Sequence, residues 1–277
     1  MEFIKAFFIR IFSMIIGMFL LVAFFSIIDF ITSVSTNTDK TSSNQTQPKK
    51  EKKNIVYSKV VWTDYSGNWY NESLRIDYEE YLKSKRNKEN SSALMLEGSY
   101  GLYKDMYTFD KQKLDLVYKD LYELKKDRSL SKTAFAKAIV SMVQKIPYSL
   151  AVQGSCSLAY STNNDVKDLM DEGYPCDGYV YGGVYSPLEF VYKRKGDCDS
   201  RTVFLYTLFK KFNYDVVVLN SDFYAHSILG VNLPAYGTYR SHMGTKYYAW
   251  ETTAENWDVG EIPPSFNNMR YWYVALQ

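Results

Sequence analysis

The sequence predicts an α+β domain in which a helix opening at Cys198 packs on an antiparallel sheet, preceded by an N-terminal apolar helix. Three observations carry that expectation. Apolar residues fall at helical spacing in three places, alternating strand-like runs begin after Asp215, and residues 11–28 hold no charge. The chain has 277 residues, 46% hydrophobic and 17% aromatic, enough for one sizeable core with accessory segments. A formal net charge of +2, dispersed along the chain, lacks the electrostatic footprint that nucleic acid requires.

The uncharged run from Ile11 to Ile28 has Lys5 and Arg10 before it and Asp29 after it. Extended through Ile31, at about 1.5 Å per residue, it spans a hydrocarbon core of roughly 30 Å. A transmembrane helix over residues 11–31 is the preferred reading. The rival is a cleaved signal peptide ending near Ser33-Val34-Ser35, although the apolar region of such a peptide is normally shorter. Positive charge on the short N-terminal side places residues 1–10 in the cytoplasm and the bulk of the chain outside. Residues 32–54 are mostly Ser, Thr, Asn, Gln and Lys, too polar to bury anything, and read as a tether.

Folded structure is expected from Ile55. Tyr57 to Trp62, then Tyr65-Ser66-Gly67-Asn68, then Trp69-Tyr70 read as strand, turn and strand. Leu114, Val117, Tyr118, Leu121 and Leu124 share one helical face. So do Phe135, Ala138, Ile139, Met142 and Val143, with Ser131 as cap and Pro147 as stop. Residues 55–130 are read as accessory strands and helices, and 131–277 as the principal domain. Gly154 to Tyr185 is rich in Gly, Asn, Ser, Asp and Tyr, a long irregular stretch of the kind that a compact domain ties down or uses.

The chemistry gathers at Lys195-Gly196-Asp197-Cys198-Asp199-Ser200, followed by Val203, Phe204, Leu205, Leu208, Phe209 and Phe212 at helical spacing. A turn leads straight into a buried helix. Unpaired N–H groups and the dipole at that helix start favour a thiolate on Cys198 and can hold an oxyanion. Asp197 and Asp199 oppose ionisation, and a dipole worth roughly 0.3 to 1 kcal/mol does not overcome them. An imidazolium partner is required.

His226 is the candidate partner, in a strand from Ala225 to Asn232 that follows the apolar strand Asp215 to Leu219. Glu251 lies in a further strand, Lys246 to Thr253. With the connecting loop centred near Thr238 and Tyr239, a hairpin sets His226 directly across from Glu251, within carboxylate-to-imidazole reach. Asp258 and Asp222 are weaker alternatives for the acid, and His242, in a polar loop, is read as exposed and idle. The cysteines at 156, 176 and 198 form no C-x-x-C pair and stand at no metal-ligand spacing from the two histidines, so no metal or cofactor is expected. With Cys198 as the free thiol, Cys156 and Cys176 are left as a possible disulfide that would tie the irregular stretch.

A glycine-aspartate-cysteine turn opening a helix, a strand with a histidine and a strand ending in an acid resemble the transglutaminase-like superfamily, which is built on a papain-like fold. The resemblance runs from about Phe135 to Pro264. It takes in Val143-Gln144-Lys145-Ile146-Pro147-Tyr148, Ser186-Pro187-Leu188-Glu189-Phe190 and Glu251-Thr252-Thr253 with Gly260-Glu261-Ile262-Pro263, similar to bacterial members. It implies a papain-like core with Cys198 as nucleophile, His226 as general base and Glu251 as orienting acid. Many members carry Asp at the third place, where this chain has Glu.

The resemblance and the local chemistry imply acyl transfer from a protein or peptide amide through a thioester on Cys198, by a membrane-anchored enzyme acting outside the cytoplasm. Peptidase, amidase and transglutaminase differ only in whether water or an amine accepts the acyl group, and no residue here selects among them. The rival is a catalytically silent domain of the same fold that binds peptide or cell-wall material in a membrane complex. A third reading is a structural ectodomain with Cys198 in its core.

Overall fold

The structure, a computed structural model, describes residues 54–277. The expected transmembrane helix at 11–31, the cytoplasmic N-terminus and all but the last residue of the tether lie outside the described residues. Among the described residues no helix is long and apolar enough to cross a membrane. The architecture is α+β.

It opens with an antiparallel hairpin of β1 (Ile55–Thr63) and β2 (Trp69–Asp77), in register from Ile55 opposite Asp77 to Thr63 opposite Trp69. Asp64 fastens its turn by accepting from the backbone N–H groups of Ser66 and Asn68, each at 2.9 Å, and Gly67 supplies the positive φ of 80°. Period-two alternation puts Val60, Trp62, Tyr70, Leu74 and Ile76 on one buried face, where the Trp62 and Tyr70 rings stack at 4.8 Å.

Helices follow as α1 (Tyr78–Glu89), α2 (Ala93–Asp110), α3 (Asp115–Asp127) and α4 (Lys132–Lys145). The apolar stripes expected around Leu114–Leu124 and Phe135–Val143 are the buried faces of α3 and α4. Ser131 caps α4 through the Ala134 N–H at 3.2 Å, and the chain leaves the helix at Ile146, just before Pro147.

The stretch expected to be irregular is partly helical. Between the short paired strands β3 (Leu150–Ala151) and β4 (Cys176–Asp177) lie α5 (Cys156–Thr162) and α6 (Asn164–Asp171). Neither helix buries a residue, so no core-facing stripe marks them in the sequence; the side chains of Ser155 and Asn163 start them by capping Leu158 and Val166. A disulfide joins Cys156 to Cys176 across this excursion.

After α7 (Pro187–Lys193), α8 (Cys198–Lys211) packs on a five-stranded antiparallel sheet. Its strands are β5 (Val216–Ser221), β6 (His226–Val231), β7 (Tyr239–His242), β8 (Thr245–Trp250) and β9 (Tyr273–Leu276), in the order β7-β8-β6-β5-β9. Both faces are covered. Val216, Val218, Leu229 and Val231 join the main core with α8, whereas Val217, Leu219, Ile228 and Trp272 form a second apolar layer on the other side. Double burial explains why β5 reads as a continuous apolar run. The main core draws on residues from Val60 to Leu276, so the 55–130 elements share it with the rest.

The expected direct hairpin between the His226 and Glu251 strands is corrected. The loop after β6 instead reaches the far edge of β8, where β7 pairs, and the tight turn at Met243 and Gly244 (φ 47° and 78°) then leads into β8. That loop is held by a close backbone approach between residues 236–238 and 260: Thr238 N donates to Gly260 O at 2.8 Å, and a Cβ on Gly260 would lie 1.9 Å from the Tyr236 oxygen. Leu229 consequently faces Trp250, two residues along from the expected register. A two-residue shift keeps every side chain on its face, where a one-residue shift would not.

Candidate functional site

Asp197 caps α8, accepting from the Ser200 N–H at 3.0 Å and the Ser200 hydroxyl at 2.6 Å, which sets Cys198 as the first helical residue. Arg201, one turn on, is fully buried and fastens the surrounding backbone. Its guanidinium donates to the carbonyls of Gly196 (3.1 Å), Val143 (2.7 Å), Ile146 (2.6 Å) and Thr252 (3.3 Å). One side chain thereby ties the turn before Cys198, the end of α4 and the segment carrying Glu251. Gln144 adds a second tie, its amide donating to Glu251 O at 2.7 Å and Trp257 O at 2.9 Å.

His226 opens β6, after a turn in which Ala225 takes φ 47°. The next residue, Ser227, bonds Thr202 of α8 at 2.8 Å and Asn220 of β5 at 2.9 Å, which pins the start of this strand against the helix. Glu251 follows the last residue of β8. Its Oε2 lies 2.9 Å from His226 Nε2, and its Oε1 accepts from the Thr252 N–H (2.8 Å), the Thr253 N–H (2.7 Å) and the Thr253 hydroxyl (2.6 Å). Burial alone would raise the pKa of this carboxyl. The hydrogen bond and charge of His226, with the donors of Thr253, outweigh burial and bring it down to about 2. Glu251 is thus a fixed anion that holds the imidazole by Nε2 and leaves Nδ1 to exchange a proton.

Cys198 is only 8% exposed. Burial pushes its thiol well up, and Asp199 and Asp197 push it further, against the Ser227 N–H that favours the thiolate. Both aspartates are themselves raised by burial, Asp197 to about 7. The expectation that the acids on either side oppose ionisation therefore matches the site, and burial adds to them. No thiol–imidazole hydrogen bond is present. The structure joins His226 to Glu251 directly and sets the sulfur beside Ser227, the neighbour of His226 on the strand.

His226 lines a cleft of about 340 Å³ with Tyr148, Tyr174, Tyr224, Phe266 and the carboxylates of Asp165 and Asp168. Cys198 is not a lining residue; Tyr148, in the wall, is bridged through its backbone to Gly196, two residues before the cysteine. Helix α6 and the residues after it supply one side of this cleft, so the disulfide-tied excursion is part of the site.

The other sequence candidates lie elsewhere. Asp258 pairs with Lys137, Asp222 accepts from the Tyr273 hydroxyl at 2.9 Å, and His242 bonds Gln277 at 3.1 Å. None of them bonds His226. Sequence reasoning passed over Arg201, although a guanidinium among the apolar residues of a buried helix is itself a signal, because a charge so placed must be satisfied. Among the described residues no cluster of His, Cys, Asp and Glu is arranged to hold a metal ion.

Comparison with family models, curated proteins and solved structures finds no match for this chain.

Proposed function

We propose that this protein is a cysteine-dependent acyl-transfer enzyme of the transglutaminase-like, papain-like kind, anchored in a membrane by residues 11–31 and acting outside the cytoplasm on protein or peptide amides. The observation that carries the reading is the imidazole of His226, braced at Nε2 by the anionic Glu251 and open at Nδ1, next to the residue whose N–H faces a cysteine at a helix N-terminus. Nδ1 takes the thiol proton, and the sulfur attacks the amide carbonyl carbon. The imidazolium then returns the proton to the departing amine, leaving a thioester on Cys198. Water, deprotonated by the same imidazole, releases the acid; an amine in its place gives transfer. Hydrolysis is the default in an aqueous compartment.

A closed, high-pKa thiol outside the cleft lining favours a second reading, a silent domain that binds peptide or cell-wall material. Iodoacetamide labelling at graded pH separates the two. The enzyme reading expects Cys198 to react below the free-thiol pKa of about 8.5 and to lose that reactivity in His226→Ala. A Cys198 that stays unlabelled, or titrates like a free thiol, identifies the binding domain.

A further inference from the structure

Tyr148 begins as an ordinary residue after a helix stop. Pro147 ends the run from α4, and the next residue forms a parallel backbone bridge to Gly196, two positions before Cys198, reinforced by Ser149 N donating to Gly196 O at 3.3 Å. The nucleophile's turn and the Tyr148 backbone are therefore one fastened unit. The ring is held on two sides, edge-on to Tyr174 at 5.3 Å between centroids and with the Arg201 guanidinium 5.7 Å from its centre.

The Tyr148 hydroxyl matters because of where it stands. Several other tyrosines with large buried portions spend theirs within the protein: Tyr65 on Gln144 (2.8 Å), Tyr70 on Asp64 (2.9 Å), Tyr214 on the Lys132 carbonyl (2.6 Å), and Tyr185 on Asp177. The Tyr148 hydroxyl makes no hydrogen bond among the described residues, and Tyr148 lines the cleft that His226 enters. Burial above all pushes the pKa of its phenol up. A free donor thus stands in the wall of the cleft, its backbone bridged to the residue two before the nucleophile.

We propose that Tyr148 is a catalytic residue whose O–H, with the N–H groups opening α8, holds the oxyanion formed when Cys198 attacks a carbonyl; this rests on the acyl-transfer reading above. In that step the new C–S bond forms and the carbonyl π pair moves onto oxygen. The phenol donates a hydrogen bond to that oxygen without giving up its proton. On collapse the pair returns, the C–O or C–N bond to the leaving group breaks, and an amine leaves with the proton carried by His226. A preorganised donor in a water-poor site acts on the transition state and leaves ground-state binding little changed.

Two reagents isolate the role. Acetylation of Cys198 by p-nitrophenyl acetate passes through the oxyanion, whereas alkylation by iodoacetamide displaces iodide and forms none. Both rates are read at Cys198 by mass spectrometry on the full-length chain, wild type and Tyr148→Phe. The substitution keeps the ring contacts with Tyr174 and Arg201, and the ratio of the two rates cancels any loss of folded protein. Acetylation is expected to fall about 100-fold with alkylation unchanged. Equal acetylation rates in the two proteins overturn the assignment and leave the enzyme reading standing, and so does an equal fall in both rates, which marks Tyr148 as packing alone. A wild-type Cys198 that neither reagent modifies overturns the enzyme reading itself, and this inference with it.

Discussion

His226 and Glu251 meet at 2.9 Å although the sheet does not pair them: the β6–β8 ladder sets Leu229 against Trp250, and Glu251 lies just past the end of its strand. Their contact depends on the Glu251 backbone being held from outside the sheet, by Gln144 and, through Thr252, by Arg201. An acid one methylene longer than Asp reaches the imidazole from that offset.

Replacing Glu251 tests that brace. Glu251→Gln removes the anion that stabilises the imidazolium, and iodoacetamide labelling of Cys198 at pH 7 is expected to slow at least about tenfold. Glu251→Ala should in addition lower stability by about 1 to 3 kcal/mol in urea melts, because the buried Thr252 N–H and the Thr253 donors lose their acceptor. Unchanged labelling in Glu251→Gln would show that the acid has no part in activating the sulfur.

The same carboxylate makes stability depend on pH with a definite sign. Its folded pKa, about 2, lies below the ordinary 4.5, so its contribution is full above about 4.5 and disappears as pH falls towards 2. The size is on the order of 3 kcal/mol. Glu251→Gln should flatten this part of the stability curve, measured as urea midpoints between pH 2 and 5.

Asp110 acts in the opposite sense. It is fully buried, accepts from the Leu188 N–H at 2.9 Å, and leaves Oδ1 without a partner. Burial raises its pKa from 3.8 to about 7. A group raised in the fold stabilises fully below its unfolded value and loses that contribution as pH climbs through 7. Asp110→Asn should therefore gain stability relative to wild type between pH 5 and 8; a difference between the two proteins that does not vary with pH across this range contradicts the assignment.

Arg201 is expected to be irreplaceable by lysine. Four carbonyls from three separate segments converge on one planar fork, which an ammonium cannot reproduce. Arg201→Met should destabilise by more than about 3 kcal/mol, and Arg201→Lys should recover less than half of that in thermal melts. Full recovery by lysine would mean that charge alone matters there.

The Cys156–Cys176 disulfide closes a loop with a sequence separation of 20, for which chain entropy gives about 3 kcal/mol. Since α5 and α6 bury no residues, little else holds them. Paired Cys156→Ser and Cys176→Ser substitutions should raise hydrogen exchange in residues 156–171 well beyond that of α8, and so loosen the Asp165 and Asp168 side of the cleft. Uniform exchange changes across both regions would count against a locally tied wall.

Local patterns in the chain were enough to read the opening hairpin, the stripes of α3 and α4, the helix that starts at Cys198, the strand that begins at His226 and the strand that ends just before Glu251. Periodicity and capping act over a few residues, so the sequence by itself determines them. It also singled out the candidate set Cys198, His226 and Glu251, because each falls at an end of a regular element. Tertiary structure alone decided the insertion of β7, the two-residue register shift and the clamps from Arg201 and Gln144, since these depend on groups up to 113 residues apart in the chain. It likewise decided that the thiol is buried and held neutral and that the Tyr148 hydroxyl is left free. Solvent exclusion and hydrogen-bond satisfaction are properties of the whole packed assembly, and no short stretch of sequence contains them.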